Sequence, residues 1–414
     1  MRAKQFKRQK IAQNKQKNRG NQVRNTYVKQ TDWYLVALVL VLVIFGCVMV
    51  YSASMYSAEH NYGDAYFFLK KQVIGAVLGL MCMCALRFVP YTFLYKVRYI
   101  ALIISVLVLV VVLIPGVGKE SYGARRWINL GFFTIQASEI AKFGFIIFTA
   151  GYLAQMRKRV KTFVGILPVL CVAIVLCGLI MLEPNMSITM CMVMLTFVML
   201  FVGGIRAKHV ALLSVPTLLG AVGLILAKPY RMARLMAFLN PWASVQGEGF
   251  QLVQSLYALG SGGWFGVGLF NSRQKYLFLP FSESDFIFSI IGEELGWVGC
   301  LCVLAVFMLF ILRGIKIALK SKDRFGTYLA TGITAIIAIQ VVVNVAVVTG
   351  SIPPTGLPLP FISSGSSALI VFMSAMGVLL NISANSQTPL FTVVETKTLY
   401  KRIQRKKLVE PLQI

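Results

Sequence analysis

The sequence predicts an all-α, polytopic membrane protein of about ten transmembrane helices, with a large ordered extracellular loop between spans seven and eight. Three observations carry that expectation. Apolar runs of about 20 residues recur along most of the 414-residue chain, each long enough to cross a hydrocarbon core of about 30 Å as a helix. The composition is 57% hydrophobic against 13% charged, with a mean hydropathy of +0.75. The net charge of +27 gathers in the two tails and in short links between apolar runs, the distribution that sets membrane topology.

Residues 1–32 form a basic tail carrying Arg2, Lys4, Lys7, Arg8, Lys10, Lys15, Lys17, Arg19, Arg24 and Lys29, with no acid before Asp32. Its length, and that of the apolar run after it, exceed those of a secretory signal. The spans are expected at 33–52, 72–89, 97–114, 140–156, 164–182, 187–204, 209–228, 286–312, 327–349 and 366–383, giving a membrane domain over 33–383. With the basic tail in the cytoplasm, alternation returns Arg157, Lys158, Arg159 and Lys161, then Arg206 and Lys208, then Lys316, Lys320, Lys322 and Arg324 to the same side. The basic tail 384–414 also falls there, so both termini are expected in the cytoplasm. Both tails are expected to be disordered, or to meet anionic lipid or partners.

Two links are long, 115–139 and 229–285, and both are expected on the outer face. The second contains Trp242, Trp264 and many aliphatics, so short helices packed on the bundle are expected, with Gly260 to Gly263 as a turn. The segment 353–366 is dense in proline and glycine, which forbids regular helix. Irregular backbone at membrane depth is tolerated where it is buried in protein or lines a cavity.

Composition also excludes functions. Basic residues in short loops match lipid better than nucleic acid, and no nucleic-acid partner is expected. All eight cysteines lie within apolar runs and read as small buried hydrophobes. No C-x-x-C or H-E-x-x-H motif is present, so the sequence names no metal.

The stretch 275–299, KYLFLPFSESDFIFSIIGEELGWVG, places acids in an apolar setting. Asp285 stands where a helix N-cap would, and an acid suits that position. Glu293 and Glu294 lie about 12 Å deeper by helical rise, where a carboxylate requires a polar cavity or a basic partner. Glu139 and Lys142 share one helix face, either as an internal ion pair or as part of a cavity. Arg125, Arg126, Arg231, Arg234, Arg273 and Lys275 run against the positive-inside trend and are expected to meet an anion, such as a lipid phosphate.

Taken together, several stretches closely resemble the SEDS family of cell-wall polymerases, its division and sporulation branch (FtsW and SpoVE) more than its elongation branch (RodA). They include Gly123 to Trp127, Gln136 to Lys142, Tyr230 to Arg234, Phe238 to Trp242, Gln254 to Gly263, Asn271 to Lys275, Asp285 to Phe288, Glu293 to Gly296 and Thr355 to Ser363. Departures occur at Glu183-Pro184-Asn185, where the family commonly has aspartate in the third place, at Phe281 to Ser284, and at Ser364 to Ser366.

The resemblance implies a peptidoglycan glycosyltransferase that polymerises lipid II into β-1,4-linked strands on the outer face of the membrane, with a class B penicillin-binding protein and other division proteins as partners. It implies Asp285 as the catalytic carboxylate. Arg125, Arg126, Glu139, Lys142, Arg231, Arg273 and Lys275 are expected around the pyrophosphate or its cavity. Glu293, Glu294, Pro360 and Ser363 are expected to shape that cavity, the two glutamates by organising cations. No cofactor is certain, though a divalent cation, magnesium or manganese, could assist the leaving group. The rival classes are a lipid II flippase and a non-catalytic scaffold of the division complex.

Overall fold

The computed structural model describes residues 31–121, 124–129, 134–156 and 159–386. The expected disordered tails, and Arg157 and Lys158, lie outside the described residues, apart from the short ends of the tails next to the bundle. Asp32–Ser383 forms one compact unit.

Every expected span is a helix. In chain order these are α1 (Trp33–Tyr62), α2 (Phe67–Phe88), the short α3 (Tyr91–Lys96), α4 (Arg98–Leu113), α5 (Ala137–Gln155), α6 (Phe163–Leu182), α7 (Met186–Val202), α8 (Ala207–Leu226), α9 (Pro229–Leu239), α10 (Phe250–Gly262), α11 (Ile287–Lys320), α12 (Arg324–Val348) and α13 (Ser366–Asn385). Eight are long and apolar enough to cross a membrane. The other two apolar helices, α4 and α7, have 16 and 17 residues, or about 25 Å at helical rise. Side chains at the starts supply the caps: Asp32 accepts from the Leu35 N–H, Thr162 from Gly165, Asn185 from Ile188 and Asp323 from Gly326. Asn185 thus begins a new helix, and Glu183 to Asn185 is a turn between two helices rather than a kink in one.

The interior is built around α12, which packs on α5, α7 and α11, while α1 packs on α2 and α11 and α10 packs on α11. α8 differs. None of its residues is buried, it packs chiefly on α9, and Leu212, Val215, Leu218, Leu219 and Val222 face outward, as suits a helix solvated by acyl chains. At the end of the bundle away from Asp285, Arg313 Nε donates to Asp32 at 2.8 Å, Ser383 donates to the same carboxylate, and Tyr91 donates to Asp323. The bonds to Asp32 tie α1, α11 and α13 together, and the bond to Asp323 ties α3 to the start of α12.

The link 115–139 departs from the all-α expectation. It holds a three-stranded antiparallel sheet, β1 (Gly118–Ser121), β2 (Ala124–Asn129) and β3 (Thr134–Gln136), in the order β1-β2-β3. Trp127 pairs with Lys119 on one side and Gln136 on the other. The link 229–285 contains α9, a 3-10 turn at Pro241–Ser244, and α10. The expected turn at Gly260 begins later, at Gly263, whose φ is 53°, because α10 runs through Gly262.

The end of α10 meets α11 backbone to backbone. Val267 and Gly268 donate N–H groups to the Glu293 and Glu294 carbonyls, and Trp297 and Val298 donate to Gly263 and Trp264. This requires a break inside α11 at Gly296, whose φ is +67° and where a Cβ would stand 2.4 Å from the Gly266 nitrogen. Only glycine combines that dihedral with that approach. Gly296→Ala is expected to cost about 2 kcal/mol or more, read as a fall in the thermal unfolding midpoint of the detergent-solubilised protein. Gly220→Ala, at a position of α8 with nothing within 4 Å of the added Cβ, should leave the midpoint unchanged.

Candidate functional site

Asp285 lies just before α11 in a segment pinned on three sides. Ser282 Oγ donates to the Ala53 carbonyl of α1 at 3.1 Å. The Glu283 carbonyl accepts from the Ser364 N–H at 2.8 Å, and the Ser284 carbonyl accepts from Ser363 Oγ at 2.6 Å. The Asp285 carbonyl accepts from Asn344 Nδ2 of α12 at 2.8 Å, and the same amide donates to the Leu357 carbonyl at 2.7 Å. These bonds use main-chain groups and leave the Asp285 carboxylate for other work. The proline-rich segment 353–365 is the third wall. Pro360 and Ser363 are buried in it, and Gly356 comes so close that a Cβ there would stand 3.0 Å from Asp285 Oδ2.

The charge environment of Asp285 holds it near neutrality. Burial and then the neighbouring Glu283 push its carboxyl up to about 7, against the pull of the Ser284 hydroxyl, Arg126 and Arg234. Burial raises Glu283 as well. A carboxylate poised there can take a proton from a hydroxyl and give it up again.

Arg126 is delivered by β2. Its Nε donates to the Glu183 carbonyl at 3.1 Å and its Nη2 to the Pro184 carbonyl at 2.6 Å, so the turn between α6 and α7 aims it. Burial lowers its pKa, opposed by the charges of Glu183, Tyr230 and Asp285, while Arg234 adds to the lowering. Arg125 is the next residue on the strand and so points to the other face, with Glu120 as its partner in register. On α9, Arg231 turns back to donate to the Leu224 carbonyl at 2.7 Å and to the Tyr230 hydroxyl, whereas Arg234 is half exposed and paired with Glu248 at 3.4 Å. Of the expected cations, Arg126 is the one brought to Asp285, and Arg234 joins it.

Glu139, Lys142, Lys275, Glu293 and Glu294 form two buried groups, whereas Arg273 is exposed and meets Glu293 through its N–H. Lys142 Nζ donates to Glu139 Oε1 at 2.7 Å, both side chains being essentially inaccessible, with Lys142 also 5.4 Å from the Phe372 ring centre. Lys275 Nζ lies 3.3 Å from Glu294 Oε1 and donates to the Phe270 carbonyl. Glu294 also accepts from Ser52 Oγ and the Ser272 N–H. Glu293 accepts from Ser272 Oγ and from the N–H groups of Arg273 and Gln274.

The expectation that Lys275 meets a substrate anion therefore changes: Glu294 already neutralises it. The cation that this glutamate organises is a lysine of the same chain. Among the described residues no group of three or more His, Cys, Asp or Glu converges as a metal ion would need. The sequence drew attention to Glu183, Glu283 and Tyr230 within their motifs but gave none of them a place in the site. The available signal for Glu183 was an acid closing an apolar run beside a proline.

Comparison with known proteins agrees with this architecture. Residues 32–388 match the family described as Cell cycle protein, that of FtsW, RodA and SpoVE. Stage V sporulation protein E of Bacillus subtilis is 43% identical over 357 residues, 86% of this chain and 98% of that protein. A probable peptidoglycan glycosyltransferase FtsW of Trichlorobacter lovleyi is 40% identical over 354 residues, 85% of this chain and 93% of that protein. Among solved structures, a chain from a study of the structural coordination of polymerization and crosslinking by a peptidoglycan synthase complex superposes with a TM-score of 0.72 at 30% identity. The match covers 87% of this chain and 99% of that one. The rod shape determining protein RodA of Thermus thermophilus superposes with a TM-score of 0.64 at 27% identity, covering 87% and 98%. With ordered motifs, helical bundle and relatives all in agreement, this multi-pass membrane protein belongs to the FtsW, RodA and SpoVE family.

Proposed function

We propose that the chain is an inverting peptidoglycan glycosyltransferase that polymerises lipid II at the outer face of the bacterial cytoplasmic membrane, with Asp285 as general base. One observation carries the assignment: a main-chain-pinned carboxyl held at about 7 within the field of Arg126, whose own hydrogen bonds go to carbonyls. Relatives named as peptidoglycan glycosyltransferases support it. The acceptor's 4-hydroxyl loses its proton to Asp285 as its oxygen bonds to C1 of the donor sugar. The bond from C1 to the diphosphate oxygen breaks, and the diphosphate leaves with its electron pair. Direct displacement inverts C1, so one base suffices where a retaining enzyme needs a nucleophile as well. Arg126 and Arg234 are the cations placed to take up the charge growing on the leaving group. Among the described residues no three His, Cys, Asp or Glu converge, and no step is assigned to a divalent cation.

The same reading places the 229–285 link and the 353–365 segment outside and both termini inside. A class B penicillin-binding protein that cross-links the strand is the proposed partner, in keeping with the polymerisation and crosslinking complex that supplied the structural relative. Lys142 with Glu139, and Lys275 with Glu294, are proposed to hold the bundle and the loop in place.

The test is polymerisation of purified lipid II by the protein in proteoliposomes. Asp285→Asn keeps the shape and removes the base, so the variant should insert and unfold like the parent while its rate falls by about 10²–10⁴-fold; near-parental glycan synthesis would remove Asp285 from the chemistry. Because a base works only when ionised, activity should rise with pH through about 7. Glu283→Gln removes the adjacent negative charge, eases ionisation of Asp285, and should move that limb of the pH profile to lower pH; a shift to higher pH contradicts the electrostatic account. Topology is checked with single cysteines at Gln246 and Lys320, both exposed, in a form without native thiols. A membrane-impermeant maleimide applied to intact cells should label position 246 and not position 320, and the reverse pattern would put the acidic site in the cytoplasm.

A further inference from the structure

Glu183 is an acid beside Arg126 that the mechanism above leaves idle, and its surroundings are unusual. It closes α6, it is fully buried, and neither carboxyl oxygen has a hydrogen-bond partner. A guanidinium stands beside it, yet Arg126 spends Nε and Nη2 on the carbonyls of Glu183 and Pro184. An ionised carboxylate next to an arginine ordinarily accepts a two-point ion pair, and one buried without donors is among the costliest arrangements in a protein. A neutral carboxyl group escapes the cost of a buried charge and bears only the smaller cost of an unpaired polar group.

We infer that Glu183 works as an uncharged carboxylic acid, a positioning residue that holds Arg126 through its backbone while leaving the guanidinium's charge unneutralised for the diphosphate of the substrate. This rests on the polymerase reading. Had the side chain been ionised, the positive charge closest to Asp285 would be spent inside the protein.

The electrostatics are consistent with this role. Burial pushes Glu183 up to about 8, with the Arg126 charge pulling the other way. The groups around that arginine are Tyr230 and Arg234 from α9 and Asp285 from the segment before α11. Above about pH 8, Glu183 ionises, pairs with Arg126 and cancels the anion site. The enzyme then has two pH limbs with different owners, Asp285 on the acid side and Glu183 on the alkaline side.

The experiment uses the full-length protein in proteoliposomes with lipid II as the probe, comparing parent, Glu183→Gln and Glu183→Asp from about pH 6 to about pH 9.5. At neutral pH the glutamine variant, isosteric with the neutral acid, should keep KM and kcat within about twofold of the parent. At about pH 9 the parent's KM should rise several-fold with kcat less affected, while the KM of the glutamine variant stays flat. The aspartate variant, which keeps an ionisable group, should retain an alkaline limb. Superimposable pH profiles for parent and glutamine variant, or a tenfold KM increase in that variant at neutral pH, overturns the inference. Infrared difference spectroscopy of parent against Glu183→Gln supplies a readout independent of turnover. A protonated-carboxyl band present at neutral pH and lost at about pH 9.5 supports the neutral acid, and its absence at neutral pH refutes it, whether or not lipid II proves to be the substrate.

Discussion

The architecture around the site depends on how Glu293 and Glu294 are satisfied. Two adjacent carboxylates inside a hydrophobic bundle would each cost several kcal/mol if left without donors. Here they collect the hydroxyls of Ser52 and Ser272, three successive N–H groups at Ser272, Arg273 and Gln274, and the ammonium of Lys275. Those donors come from α1 and from residues 272–275 of the link that leads into α11, so neutralising the acids obliges that link to dock. The break at Gly296 lets the carbonyls of the same two residues accept from Val267 and Gly268. Main chain and side chain at one point of α11 thus fix the path of the loop that leads to Asp285.

Against that background the acids divide by whether they find donors. Glu293, Glu294 and Asp32 are met by several hydrogen bonds or ion pairs and hold elements together. Asp285 and Glu183 are crowded by protein without comparable compensation, and their proton affinities rise accordingly. Acids therefore do structural work where the fold supplies several donors and are left titratable where it supplies few and a shared arginine. Arg126 links the two titratable acids because β2 carries it to the α6–α7 turn.

The bundle itself shows a similar division. α5, α12 and α13 are mostly buried, whereas α8 has no buried residue. A rigid interior built on α12 holds Asn344 against the Asp285 and Leu357 carbonyls, which ties the acidic segment to the proline-rich wall. The lipid-facing periphery contributes α9, whose Arg234 enters the field of the site.

Much of this was legible in the chain alone. Apolar runs report helices because a bilayer allows little else, and each of the ten expected runs is a helix, with α1 and α11 extending beyond the run that announced them. Ordered motifs identified the family and singled out Asp285. The three-stranded sheet at 118–136 was not legible: its strands are short, hold charged residues, and are stabilised by pairing across a link rather than by any periodicity of their own. Nor could the sequence say which cation meets which acid. Lys275 and Arg126 look alike as outward-facing charges in motifs. Only the folded chain brings Lys275 within reach of Glu294, some twenty residues away, and turns Arg126 toward the carbonyls of Glu183 and Pro184, within the field of Asp285. Local pattern determined where the helices lie because that depends on solvation of each segment by itself; the partners of the buried charges were decided by tertiary structure, because burial and proximity are properties of pairs that the linear order does not contain.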